Sequence, residues 1–468
     1  MNIPIFAVVG HPNKGKSSLV ATLARDPSVA IGKEPGTTRR TRRFPMRVDG
    51  ETLYVLIDTP GFQRARAALD WMVRHEAGTA SRPAVVEQFV RAHQGQERFH
   101  DECELLRPIV EGAGIIYVVD GATPYGPEYD AEMEILRWTG QPSMAVINPI
   151  GSPRFVEAWR NALGQFFRVV RVLDVVQAPF DQQTDVLRAF GQLRDDWRQP
   201  LETAVQALVD NREQQIEDSA GVMAELIASG LTYQETRDIS RDEDSTLYTD
   251  ELKKDYDGHL RQLERRARSE VESIYGHGGV ERSEAEFELL ETDLLSRESW
   301  LVFGLKKRDL IAVGAVSGAL IGGAADAALL GASFLAGTLV GGLVGGTLGY
   351  LSSDKLAEVR ILSQPLGGQR LRCGPTKSIQ FPFVMLNRAR LHFSAVAGRT
   401  HAQRGIINVD TNDRGEAALT PPLTEEARRR LARHFNAVRR SDPGSERRAV
   451  SVDQLTDTIF NLLVDAPT

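Results

Sequence analysis

Eight residues near the start of the chain, Gly10-His11-Pro12-Asn13-Lys14-Gly15-Lys16-Ser17, have the spacing GxxxxGK[ST]. That pattern suits phosphate chemistry. A glycine-rich turn lets successive backbone N–H groups converge on a phosphate, and the lysine pairs with the β- and γ-phosphates of a nucleotide. The Ser17 hydroxyl is placed to bind magnesium. The phosphate-binding candidates are Gly10, Asn13, Lys14, Gly15, Lys16, Ser17 and Ser18. Two phosphate-sensing segments follow in order. Pro35-Gly36-Thr37-Thr38-Arg39 offers a threonine hydroxyl, Thr38 first, that can complete magnesium coordination and close over a γ-phosphate. The apolar run from Leu53 ends in Asp58-Thr59-Pro60-Gly61, where the aspartate would hold magnesium through water. The Gly61 N–H would then touch the γ-phosphate. Lys16, Thr38 and Gly61 are the catalytic candidates, and Ser17, Thr38 and Asp58 the magnesium set.

These residues need a rigid frame. Ile5 to Val9 reads as a buried strand before the glycine turn, and Ser18 to Leu23 as a helix start after it. Further strands are expected at Gly114–Asp120, Met144–Ile147 and Val169–Leu173, alternating with helical stretches such as Glu128 to Thr139. Alternation of that kind predicts an α/β fold, a parallel sheet with helices on both faces. Ligands on such sheets lie beyond the carboxyl ends of the strands. The phosphate loop, the Asp58–Gly61 loop and the segment from Asn148 all fall there.

The motifs GxPNxGKS at 10–17, PGTTR at 35–39 and DTPG followed by Phe62 resemble the Era/TrmE-like class of bacterial GTPases over about residues 1–190. The resemblance implies a P-loop NTPase domain that binds GTP or GDP with Mg2+ and hydrolyses GTP. It also implies that Asn13 helps hold a potassium ion, and that Thr38 is the switch threonine, with Thr37 second. Phe62 stands where Ras-like enzymes keep a water-orienting glutamine, and a phenyl ring cannot take that part. Catalysis would then depend on K+, a protein partner's side chain or pairing of G domains in a homodimer, and intrinsic turnover is expected to be slow. The class reads guanine with NKxD, whereas this chain has Asn148-Pro149-Ile150-Gly151. Asn148 can still meet the purine's major-groove edge. Losing the carboxylate costs roughly a few kcal/mol of discrimination. No serine-alanine-lysine loop follows Val169–Leu173. GTP, ATP and relaxed base choice therefore stay open.

Between Arg64 and Pro108 the chain is longer than a minimal G domain needs. His100, Asp101, Glu102 and Cys103 are adjacent, so they do not share one helix face, and a solvated helix is expected there instead of a metal site. Arg39, Arg40, Arg42 and Arg43 flank the first switch, as exposed steering charges or as an arginine finger for a paired domain.

The rest of the chain suggests what the nucleotide domain drives. At 468 residues two or three domains are expected, with 25% charged residues, 42% hydrophobic ones and a net charge of -7. That balance makes nucleic acid an unfavoured partner. Residues 351–468 carry 18 Lys/Arg against 12 Asp/Glu, which leaves -13 on the remainder. Two distant cysteines, Cys103 and Cys373, imply neither a disulfide framework nor a metal site. With no secretory signal at the start, a cytoplasmic location is expected. Residues 1–195 read as the GTPase domain, 196–308 as a helical stalk or bundle, 309–353 as a glycine-rich apolar hairpin and 354–468 as a basic mixed region.

In the hairpin Gly314, Gly318 and Gly322, then Gly337, Gly341, Gly345 and Gly349, recur every four residues and form a glycine-zipper face. Basic residues on both flanks fit two ends on the cytoplasmic side. Attachment to the inner face of the cytoplasmic membrane and burial in a soluble helical core both fit. Beyond it, Ile379–Met385 reads as an edge strand or a helix entry, and Glu425–Val438 as a basic amphipathic helix. The layout also resembles bacterial GTPases that end in a domain of unknown function with a glycine-rich apolar stretch.

Overall fold

The computed structural model describes residues 3–25, 40–240, 244–277, 360–361, 364–365, 368–400 and 422–464. Thr37, Thr38 and the glycine stretch at 309–353 lie outside the described residues. The chain divides into two compact units, Met1–Arg212 with Gly398–Gly405, and Glu213–Ala397 with Ile406–Thr468.

The first unit is built on a six-stranded sheet in the order β2-β3-β1-β4-β5-β6. Its strands are β1 (Ile5–Val9), β2 (Arg42–Val48), β3 (Glu51–Asp58), β4 (Gly114–Asp120), β5 (Ser143–Asn148) and β6 (Val170–Val172). Only the β2–β3 pair is antiparallel, since a two-residue turn joins them. The parallel strands β1 and β4 are apolar on both faces, because helices cover both. One face packs α2 (Ala65–His75), α3 (Arg82–His93), α4 (His100–Val110), α5 (Glu128–Trp138) and α6 (Val156–Leu163). The other packs α1 (Lys16–Ala24), α7 (Phe180–Gly191) and the first turns of α8 (Asp195–Thr232), which bury Trp197 and Leu201 under the sheet. The phosphate loop, the Asp58–Gly61 loop and the segment from Asn148 lie at the carboxyl edge of this sheet.

The long segment after Gly61 is mostly helical; the expected helix forms over 100–103 with His100 exposed, but the expectation that it is solvated is corrected at Glu102 and Cys103. Glu102 and Cys103 are 1% and 4% exposed, because α4 packs its whole inner face on the sheet. Burial pushes the Cys103 thiol up to about 11, with Glu102 adding to the shift. Among the described residues no cluster of His, Cys, Asp or Glu could hold a metal ion.

The second unit contains the rest of α8, β7 (Glu235–Ser240), α9 (Thr246–Ile274), a small β8–β9 pair (Arg360–Ile361 and Gln364–Pro365) and β10 (Gly368–Cys373). It ends with α10 (Phe381–Ala397), α11 (Glu425–Arg439) and α12 (Glu446–Val464). In α9, Leu252, Tyr256, Leu260, Ala267 and Val271 fall on one buried stripe, which is why so charged a sequence still forms a packed helix. The stretch from Ile379 enters a helix, and Pro382 is tolerated because the first turn has no partner for its missing N–H. An antiparallel ribbon of β7 and β10 interrupts a region read as helical, and Arg370 grips Asp238 across it at 2.6 and 3.0 Å.

Inside this unit lies an ionic core. Arg388, 1% exposed, donates to both Glu264 oxygens at 2.7 and 3.3 Å, and Arg268 reaches the same carboxylate at 2.7 Å. Burial pushes Glu264 up, but Arg268 and Arg388 together outweigh it and hold the carboxyl below its usual range. His392 lies 3.2 Å from Glu272, and burial lowers its pKa. Breaking one side of such a pair costs roughly 3–5 kcal/mol, since the charge left behind stays buried. Among the described residues no helix is long and apolar enough to cross a membrane.

Candidate nucleotide-binding site

Gly10 to Gly15 link β1 to α1, so the first turn of α1 presents Lys16, Ser17 and Ser18 at the carboxyl edge of the sheet. Gly15 caps α1 at φ 89°, in the left-handed region. A Cβ there would also lie 2.3 Å from Asn148 Nδ2. Asn13 takes the same kind of backbone at φ 60°, which asparagine tolerates, and its side chain is exposed.

Lys16 is 7% exposed and donates to the His11 carbonyl at 2.9 Å across the loop. Burial lowers its pKa to about 8, against the raising pull of Asp58 and Glu132. Ser17 Oγ donates to Asp58 Oδ2 at 2.9 Å. A hydroxyl and a carboxylate side by side are hard oxygen donors, the set that suits Mg2+. The structure thus brings Lys16, Ser17 and Asp58 into one cluster.

Gly61 lies against the phosphate loop. A Cβ at this position would stand 2.6 Å from the Pro12 nitrogen, so only glycine fits the approach. The next N–H, that of Phe62, donates to Gly10 O at 3.3 Å. The Phe62 ring is 1% exposed and packs in the core with Ala65 and Met72. Thr59 Oγ1 donates to Val8 O at 2.7 Å and ties the ends of β1 and β3 together.

Asn148 ends β5 and is 2% exposed. Its Nδ2 donates to Lys14 O at 3.4 Å, and its Oδ1 accepts from Val175 N at 3.3 Å. One side chain therefore braces the phosphate loop against the loop after β6. Each amide atom keeps one further hydrogen-bonding position. Pro149 follows it, Ile150 is 46% exposed, and Gly151 turns back at φ 73°. Lys14 Nζ reaches Thr123 at 3.1 Å and Asp120 at 3.4 Å.

Three carboxylates around the site had no sequence signal beyond their letters. Glu132, on α5, is 2% exposed; it lies 2.9 Å from His11 Nδ1 and accepts from Tyr117 Oη at 2.9 Å. Burial raises its pKa, against His11 and Tyr117. Glu102 Oε1 accepts the N–H groups of Gln63 (2.9 Å) and Arg64 (2.5 Å), capping α2 immediately after the Gly61 turn. Glu104 takes the Thr41 N–H at 3.3 Å, while its carbonyl takes the Thr41 hydroxyl at 2.9 Å. One helix, α4, therefore holds the exit of both phosphate-sensing segments. Spacing of four along the sequence could have suggested none of these contacts, which join residues about 15 to 120 positions apart. Arg40, Arg42 and Arg43 are exposed around the start of the edge strand β2.

Residues 5–148 match the family described as 50S ribosome-binding GTPase, MMR_HSR1, and residues 160–457 the family described as Domain of unknown function, DUF3482. The second match starts within α6, so β6, α7 and the loop between them fall in it although they complete the nucleotide-binding sheet. The GTPase Der of Paraburkholderia phymatum is 28% identical over 203 residues, 40% of this chain and 39% of that protein. The GTPase Der of Burkholderia cenocepacia is 31% identical over 145 residues, 31% of this chain and 26% of that protein. The chain thus spans less than two fifths of the length of these relatives. A crystal structure of Era with MgGDPNP and nucleotides 1506–1542 of 16S ribosomal RNA is 16% identical. The match covers 59% of this chain and 90% of that one, with a TM-score of 0.29.

Proposed function

Because the chain belongs to the DUF3482 family and carries in front of it a P-loop GTPase domain homologous to Der, we propose that it is a GTP-driven switch with slow turnover. The observation that carries this reading is the cluster of Lys16, Ser17 and Asp58 beneath a backbone cradle, with Gly61 held against it. The triphosphate lies over Gly10–Ser18, its β- and γ-oxygens paired with Lys16. Ser17, Asp58 and Thr38 would hold Mg2+, which would neutralise charge on the phosphate oxygens. Water attacks the γ-phosphorus in line. The new O–P bond forms as the β–γ bridging bond breaks, leaving GDP and inorganic phosphate. The N–H of Gly61 and the Thr38 hydroxyl read the γ-phosphate and relax once it has left.

Phe62 supplies no water-orienting group, so the chemistry leans on a K+ ion beside Asn13 or on a second protein surface. That dependence makes the basal rate slow. Nucleotide state acts on the helical C-terminal region, and the glycine-rich stretch at 309–353 carries the output to the inner face of the membrane. Recovery of the full chain with anionic liposomes on flotation, lost on deleting 309–353, supports this output; equal recovery of both forms overturns it.

A second reading rests on the buried Phe62 ring and on Pro149 and Gly151 at the base: a nucleotide-bound interaction module with negligible turnover or relaxed base choice. Phosphate release separates the two readings when it is measured with GTP or ATP, in K+ or Na+. Faster release with GTP in K+ supports the switch. Binding without release in every condition supports the module.

A further inference from the structure

The loop after β6 is tied at every backbone polar group of two consecutive residues. Val175 N donates to Asn148 Oδ1 at 3.3 Å, and Val175 O accepts the Thr22 hydroxyl at 2.6 Å. Val176 N donates to Asp174 Oδ1 at 3.0 Å. The fourth tie comes from much farther along the chain. Thr400, 4% exposed, donates its hydroxyl to Val176 O at 2.6 Å across 224 residues of sequence. Thr400 belongs to the segment Gly398–Gly405, which is part of the nucleotide-binding unit although α10 and α11 on either side of it are not.

This loop is not incidental to the site. It lies at the carboxyl edge of the sheet, where ligands bind, and it is the surface on which Asn148 leans. Asn148 in turn holds Lys14 O in the phosphate loop and contacts the position of Gly15. We propose that Thr400 is a positioning residue for nucleobase binding. It fixes Val176, Val176 fixes the loop, and the loop fixes the amide of Asn148. Recognition of the base therefore depends on a residue of the C-terminal region. The proposal rests on the nucleotide reading given above.

The test uses the full chain and titration calorimetry with Mg·GTP and with Mg·tripolyphosphate, which offers the phosphates without a base. Thr400→Val keeps the shape and removes the donor, whereas Thr400→Ser keeps the donor. T400V should weaken GTP about fivefold, the size of one net hydrogen bond, and tripolyphosphate less than about twofold. T400S should bind GTP within about twofold of the parent. Equal weakening of both ligands, or of neither, overturns the proposal. If T400V does not fold, T400A against T400S makes the same comparison. Failure of the parent chain to take up GTP overturns the nucleotide reading and this proposal together, which is distinct from a parent that binds and a T400V that binds equally well.

Discussion

The segments proposed to hold the phosphates and the base use different materials. At the phosphate end the contacts come from backbone and from three residues close to two strand ends, Lys16, Ser17 and Asp58. At the base end they come from side chains that converge from Thr22, Asn148, Asp174 and Thr400. A backbone cradle needs a particular turn and tolerates few letters, so it keeps a readable motif. A side-chain brace can be rebuilt from any element that passes nearby. This chain carries the phosphate-loop pattern in full and departs from NKxD at Pro149 and Gly151.

Three measurements press on this contrast. The largest effect is expected from Lys16→Ala. It removes the buried cation proposed to pair with the phosphates, so GTP and tripolyphosphate should both weaken by about a hundredfold, two charge-assisted hydrogen bonds of about 1.5 kcal/mol each. A K16A protein that loses GTP alone would break the division between the two ends.

The second is pH. Lys16 titrates near 8 because burial disfavours its charge, and an anionic ligand pulls that pKa back up. Binding therefore takes up a proton once the pH exceeds about 8. Affinity should be nearly flat below pH 7 and fall by about tenfold between pH 7 and 9, for GTP and tripolyphosphate alike. A flat calorimetric profile through pH 9 would show that Lys16 does not change its charge on binding in this range.

The smallest is Asn148→Ala. Losing a buried side chain bonded on both sides should cost GTP binding about fivefold to tenfold. Some loss for tripolyphosphate is also expected, because Lys14 O loses its donor. Comparing N148A with T400V sharpens the contrast, since only the former touches the phosphate loop directly.

Much of the first unit could be read from the letters. Buried parallel strands announce themselves as apolar runs, and the motifs at 10–17 and 58–61 fall where each run stops. The helix at Ala65–His75 and its neighbours could not be given a task in the same way. Glu102 is one acid among several in a helical stretch, and nothing local marks it as the cap that holds Gln63 and Arg64. The ribbon of β7 and β10 carries no strand pattern in the sequence, because Ile239 is the one buried residue on its β7 side. Arg388 and Glu264, both looking like ordinary surface charges in sequence, form instead the ionic core of the second unit.

The sequence alone determined the phosphate loop, the order of the two sensing segments, the α/β frame behind them and the departure from NKxD at Pro149 and Gly151. Those features are local: a turn, a period or a missing side chain is decided within a few residues. The tertiary structure decided that Phe62 faces the core, that α4 holds both sensing segments at their exits, and that Thr400 closes a loop 224 residues upstream. Each is a contact between distant positions whose individual letters carry no preference, so only packing the chain selects the partner.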